Sequence, residues 1–334
     1  MMLLALSSAF VASPTVYARG STASVYALTQ LQDTLLKVDP ATGENSTVGK
    51  FSLHDDYNPV ATQLSAIALD DRMYFLALNK TSMSTDLLGI ALDDATVVTK
   101  MPSPLIQDAS GEVGNGMTIH ASKAGGLILT GLDSTGKHAA YRIAAPGHPA
   151  AVKLSDGFLA TETMTLLDAA HCLDERNGTT VLWTITPAAN YSVSGLFDLV
   201  GVDLVAADPA KSELLRFTLP PAQMIHAMEM DDASGKLVAL GIDAALHPFV
   251  FTFDPASRKA HAEASVDGYL VYNGMSAWDP ATRTFYGLVE TSESSPAPML
   301  FGFWAATGTA SAPVALCEGG YGCAVPFNID VRAA

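Results

Sequence analysis

Leu35-Leu36-Lys37-Val38-Asp39-Pro40-Ala41-Thr42-Gly43 is the stretch that decides the fold. It reads as an apolar strand running into a tight turn. Pro40 presets the backbone angle of the first corner, Asp39 bonds its own backbone, and Gly43 takes the left-handed position. The phrase returns in altered form at 88–96, 141–147, 205–210, 251–257 and 301–308. Around each copy the patterning is strand-like, and helical periodicity is almost absent.

Working outward, each unit opens on a small apolar strand, at 64–69, 117–121, 164–167, 227–230 and 275–278. A second strand rich in Tyr, Leu and Val follows, at 73–77, 126–130, 181–185, 236–240 and 284–288, and the turn-bearing pair completes the unit. Successive opening strands are about fifty residues apart, within the range of a four-stranded propeller blade. The N-terminal unit starts at 24–28 on a second strand and has no opening strand, whereas 325–331 is a lone strand with nothing after it. The expectation is an all-β, six-bladed propeller whose C-terminal strand completes the N-terminal blade. Such closure removes the open sheet edges. Pro326 suits the first residues of a strand, where no ladder donor is needed. Stacked sandwiches also use short strands, but they predict neither a steady step nor complementary incomplete ends.

Composition narrows the partners. The chain has 334 residues, 49% of them apolar, and a formal net charge of −16, so it can bury a large core and repels phosphate backbones and anionic lipid. Nucleic acid and membrane partners are not expected; cations, metal ions or neutral sugars fit that field better. Residues 1–18 read as a secretory signal, an apolar run followed by Val16-Tyr17-Ala18, which leaves 19–334 as one propeller domain. Secretion also fits four glycosylation sequons, at Asn45, Asn79, Asn177 and Asn190. It fits a small disulfide between Cys317 and Cys323 around a Gly-rich loop, with Cys172 left as a buried free thiol. The protein is expected to be extracellular and monomeric.

The turn phrase resembles secreted and periplasmic propellers with Asp-Pro-x-Thr-Gly blade hairpins. Asp39-Pro40-Ala41-Thr42-Gly43 is the clean copy, and Asp254-Pro255-Ala256-Ser257 and Asp279-Pro280-Ala281-Thr282 are near copies. At a distance the chain is similar to the gluconolactonase and regucalcin group, the NHL-repeat proteins and the YWTD modules, although the YWTD motif itself is absent. This superfold hosts hydrolases, lectins and docking modules alike, so the resemblance speaks to fold.

In an up-and-down blade the short, regular hairpins lie at one end of the ring. The longer second-to-third and blade-to-blade connections lie at the other, where binding residues usually sit. Asp55, Asp56, Tyr57, Tyr269, Tyr272 and Tyr321 in those connections are the candidate ligand contacts, because carboxylates fix hydroxyls and tyrosine offers a flat face with a polar tip. The resemblance to gluconolactonase-type propellers implies a second candidate set, Asn115, Glu162 and Asn273, as oxygen ligands for calcium or another divalent ion. His120 and the run His171-Cys172-Leu173-Asp174 have no partner at a defined spacing and read as buried or turn residues. No hydrolase elbow, zinc-protease, P-loop or EF-hand motif occurs. Three functions stay open: a secreted propeller binding a glycan or protein, a metal-dependent lactonase or ester hydrolase, and a structural protein of a matrix or wall.

Overall fold

The computed structural model describes residues 24–29, 34–51, 53, 56–59, 65–68, 70–105, 117–144, 151–156, 170–187, 196–205, 213–219, 222–268, 276–290, 298–316 and 326–332. They form six antiparallel sheets arranged as the blades of a propeller.

Blade 1 contains β1 (Ser24–Thr29), β2 (Thr34–Val38) and β3 (Asn45–Lys50). Blade 2 contains β4 (Tyr57–Pro59), β5 (Ser65–Ala68), β6 (Arg72–Asn79), β7 (Thr85–Ala91) and β8 (Val97–Pro102). Blade 3 is β9 (Thr118–Ala121), β10 (Leu127–Leu132), β11 (His138–Ile143) and β12 (Ala151–Asp156). Blade 4 is β13 (Ala170–Asp174), β14 (Val181–Pro187), β15 (Leu196–Asp203) and β16 (Glu213–Thr218). Blade 5 is β17 (Met224–Asp231), β18 (Lys236–Ile242), β19 (Pro248–Asp254) and β20 (Lys259–Ser265). Blade 6 is β21 (Ser276–Asp279), β22 (Thr284–Glu290) and β23 (Pro298–Trp304), with an outer edge split into β24 (Thr309–Ala310) and β25 (Val314–Ala315). Last comes β26 (Pro326–Arg332), which pairs antiparallel with β1, Tyr26 opposite Asp330, and completes blade 1 as the two incomplete ends predicted. The innermost strands β26, β5, β9, β13, β17 and β21 each neighbour the next, and β21 meets β26, so the ring is closed.

Two details depart from the sequence reading. The opening strand of blade 4 is β13 (Ala170–Asp174), not 164–167, which lies outside the described residues. In blade 2 the inner edge is made of two pieces, β4 and β5, which pair with successive parts of β6.

The core sits between blades. Among the described residues it falls into six clusters, one for each pair of neighbouring blades. Strand periodicity explains this, because successive side chains point to opposite faces of a sheet. Along β18, Leu237 and Ala239 enter the cluster shared with blade 4, while Val238 and Leu240 enter the one shared with blade 6. A central strand buried on both faces therefore reads as a continuous apolar run. The blade 4–blade 5 seam is the most aromatic, with Phe217 and Phe253 ring centroids 4.6 Å apart.

The turn that set the period is a real structural unit. Gly43 N–H donates to Asp39 O at 2.8 Å while Asp39 Oδ1 accepts Ala41 N–H at 2.8 Å. The same bond from a fifth residue back to a first closes the turns at Ala91/Ala95, Asp254/Arg258 and Trp304/Gly308. In each the fifth residue has a left-handed φ, +75° at Gly43 and +59° at Arg258, for example. The corresponding parts of the copies at 141–147 and 205–210 lie largely outside the described residues.

Candidate functional site

The hairpin end of the ring is laced by polar contacts between blades. Asp231, at the end of β17, receives Arg283 Nε at 3.1 Å from the first hairpin of blade 6. Glu175 in blade 4 accepts Ser122 Oγ–H at 2.8 Å and Lys123 N–H at 2.6 Å from blade 3. Arg332 on the closing strand donates to Asp71 of blade 2 at 2.8 Å. Lys123 also pairs with Asp232 of blade 5. These acids occupy turn positions for the geometric reason the sequence suggests, and several of them also tie neighbouring blades together.

The centre of the ring is different. His120 on β9 and His171 on β13 meet with Nε2 and Nδ1 3.2 Å apart and rings nearly perpendicular. Glu229 on β17 accepts the Ser276 hydroxyl of β21 at 2.8 Å. Asp330 on β26 acts on Glu229 through its charge. Five successive inner strands thus each contribute one polar side chain, and the residues interleaved with them, such as Ile119, Cys172, Met228, Ala277 and Ile329, are buried in blade seams.

Burial favours the uncharged forms of His120, His171 and Glu229. Desolvation, with the neighbouring His171 adding to it, holds the His120 imidazole well below its usual pKa, and desolvation lowers His171 to about 4. Desolvation raises Glu229 to about 8, against the lowering effect of Ser276 and with help from Asp330. Near neutral pH the two imidazoles are therefore uncharged and the Glu229 carboxyl keeps its proton. Cys172, behind this wall, is a buried free thiol as expected, and burial followed by the Glu229 charge pushes its pKa well up, so it is unreactive.

Of the sequence candidates, Tyr57 begins β4 and is 1% exposed, so its ring belongs to the blade 1–blade 2 core. Its hydroxyl donates to Asp86 Oδ2 at 2.8 Å and Lys100 Nζ lies 4.7 Å from its ring centroid. Asp56 beside it is exposed, 4.0 Å from Lys100 Nζ. Asp55, Tyr269, Tyr272, Tyr321, Asn115, Glu162, Asn273, Cys317, Cys323 and Asn190 lie outside the described residues, as do residues 1–18. Among the described residues no group of three or more His, Cys, Asp or Glu is placed to hold a metal ion. Asn45 donates its amide to Leu316 O, and Asn79 donates to Asp86 Oδ2 at 3.0 Å. Asn177 instead stands exposed at φ +56° in the first hairpin of blade 4. The central belt was missed because His120 and His171 are far apart in sequence and are brought together by blade stacking alone. The shared signal was a polar residue interrupting an otherwise apolar opening strand.

No family model matches the chain, and no curated protein is similar to it. Solved structures are similar in fold. TolB from Acinetobacter baumannii superposes with a TM-score of 0.56 at 10% identity, over 93% of this chain and 66% of that one. A chain of a nidogen/laminin complex gives 0.54 at 9% identity, over 92% and 98%. A putative 6-phosphogluconolactonase from Bacteroides uniformis gives 0.52 at 10% identity, over 88% and 98%. The chain spans just under two thirds of the TolB structure. At such identities the likeness establishes the six-bladed propeller fold, which is shared by binding-type and lactonase-like proteins.

Proposed function

We propose that the protein is a secreted binding propeller that recognises a glycan or protein through the end of the ring carrying the long connections. The observation that carries this reading is the contrast between the ends. The hairpin end is short, repetitive and laced by inter-blade ion pairs, so its polar groups are committed. The opposite end is where the connections 103–117, 157–169 and 266–275 leave and rejoin the strands, and long, varied connections are where binding residues usually sit on a rigid scaffold. The chain that nidogen/laminin provides as a neighbour shows that such a ring serves in a protein complex elsewhere.

The alternative reading, a metal-dependent lactonase or ester hydrolase with calcium or another divalent ion on Asn115, Glu162 and Asn273, rests on residues outside the described ones. Secretion and glycosylation belong to the proposal as well, and exposed Asn177 is the sequon best placed to carry a glycan among the three described. The test is a glycan array and an array of extracellular proteins, probed with the natural chain and with Tyr269, Tyr272 and Tyr321 all replaced by Ala. Loss of a specific signal in the variant supports the reading. Silence of the natural chain on both arrays, or equal binding by the variant, overturns it.

A further inference from the structure

The geometry points to the central channel as a binding site for an uncharged, hydroxyl-bearing small molecule, a sugar or polyol, held by the belt of His120, His171, Glu229 and Ser276. This rests on the reading of the protein as a binding propeller and adds a second, inner site to it. Three observations carry it.

The first is placement. The four residues come from four consecutive inner strands, β9, β13, β17 and β21, and each is half-buried while its neighbours along the strand are mostly closed off in the seams. The second is unused bonding capacity. The His–His and Glu–Ser bonds occupy one nitrogen of each ring and one carboxyl oxygen. That leaves His120 Nδ1, His171 Nε2 and Glu229 Oε2 with no hydrogen bond to any of the other described residues. Polar groups placed at a protein's centre ordinarily have their bonds completed, so open valences at this position call for a ligand or water. The third is charge. With one nitrogen of each ring spent on the other, the neutral pair offers one donor and one acceptor between them, and a protonated carboxyl adds a donor. That mixture matches hydroxyls, which both donate and accept. It gives no Coulombic hold on an anion, and a metal ion lacks a third ligand among the described residues.

The groups that act on Glu229 are Ser276 of β21 by a hydrogen bond and Asp330 of β26 through its charge, Cys172 of β13 feels its charge in turn, and Val238 lies opposite it on β18. No cation is among them, so ionising Glu229 would add an unpaired charge and remove a donor from the site.

The experiment follows the His120 and His171 ring signals by NMR in the full chain during titration with glycerol, D-glucose and D-galactose. D-galacturonate serves as the anionic counterpart. The expected result is saturable shifts with at least one neutral probe and binding weaker by about tenfold for the charged one, the usual consequence of leaving an anion unpaired where no cation faces it. Binding should fall as pH rises through about 8 in the natural chain, following the Glu229 carboxyl. In Glu229→Gln, whose amide still donates, that upper limit should disappear while binding persists at neutral pH. A purely structural role for Glu229 would not move a pH limit on binding, and thermal melts of both proteins monitor folding. Absence of saturable shifts with all three neutral probes, or equal affinity for charged and neutral sugars, overturns the inference. If the channel is silent while array signals still depend on Tyr269, Tyr272 and Tyr321, the inner site is rejected and the binding function stands.

Discussion

Asp231 and Glu229 stand two positions apart on β17, one at the hairpin end of the ring and one in its channel, and their surroundings treat a carboxyl group in opposite ways. Asp231 is desolvated, yet Arg283, Ser234 and the Ala233 amide outweigh that and hold its pKa below the ordinary value. Glu229 is desolvated with only Ser276 to offset it, and its pKa rises to about 8. The difference lies in what the neighbouring blade offers. At the hairpin end, blade 6 supplies a guanidinium; in the channel it supplies a hydroxyl. One end therefore gains cohesion from paired charge, and at Glu229 the centre keeps a polar group without charge.

The most direct way to break this contrast is to remove the cation. Arg283→Ala leaves Asp231, whose side chain is 2% exposed, as a buried carboxylate without its counter-charge. Breaking such a pair costs about 3 kcal/mol, toward the lower end for buried pairs because Arg283 itself is partly open to water. Denaturant unfolding should register that loss, and a change below about 1 kcal/mol would mean that the clasp contributes little to holding blades 5 and 6 together.

The channel makes the next prediction, in pH. A carboxyl with a folded pKa of about 8 binds its proton more tightly in the native chain than in the unfolded one, whose value is near 4.5. Its contribution is fully present below about 4.5 and is lost as pH rises through about 8. The imidazoles act oppositely: His171, lowered to about 4 from 6.5, makes stability fall as pH drops from about 6.5 to about 4, and His120 acts in the same direction. Stability should therefore decline between about pH 6.5 and 8 because of Glu229. Glu229→Gln should flatten that limb and gain about 2 kcal/mol at pH 8, a value discounted for partial access to water. Urea melts at pH 6.5 and 8 on both proteins measure it; identical slopes would show that the channel does not hold the proton.

How legible these regions were in the sequence follows from the same contrast. The hairpin end announces itself because each turn is a local device, with Asp39, Asp254 and Asp279 bonding amides two residues on. The strand order and the exchanged β26 were legible for a related reason, since alternation and turn spacing are properties of contiguous residues. The channel is assembled from single residues on different blades, so no spacing rule links His120 to His171 or Glu229 to Ser276. The misplacement of blade 4's opening strand has the same cause. His171-Cys172-Leu173-Asp174 read as buried or turn residues, and the apolar run at 164–167 as the opening strand. In the structure His171 serves the channel and Asp174 is buried at the hairpin, bonded to Arg176 at 2.7 Å. That Tyr57 packs in the core was not legible, because Asp86, which accepts its hydroxyl, is far away in sequence.

The smallest expected effect separates the turn's geometry from its composition. Gly43 and Arg258 occupy the same fifth position, at φ +75° and +59°, yet only Gly is free of the left-handed penalty of about 1 kcal/mol. Gly43→Ala adds that strain, and its Cβ would also run into the Ala315 carbonyl, so a loss of about 2 kcal/mol is expected. Arg258 is exposed, so Arg258→Gly relieves strain without opening a cavity. Part of that relief is offset by the greater freedom of Gly in the unfolded chain, leaving a gain of about 0.5 kcal/mol. Thermal melts of the two variants should move in opposite directions. Movement in the same direction would mean that the recurring turn is held by its Asp–amide bonds whatever residue occupies the left-handed position, and that the hairpin end owes its regularity to Asp39 and Asp254 more than to the glycine of the clean copy.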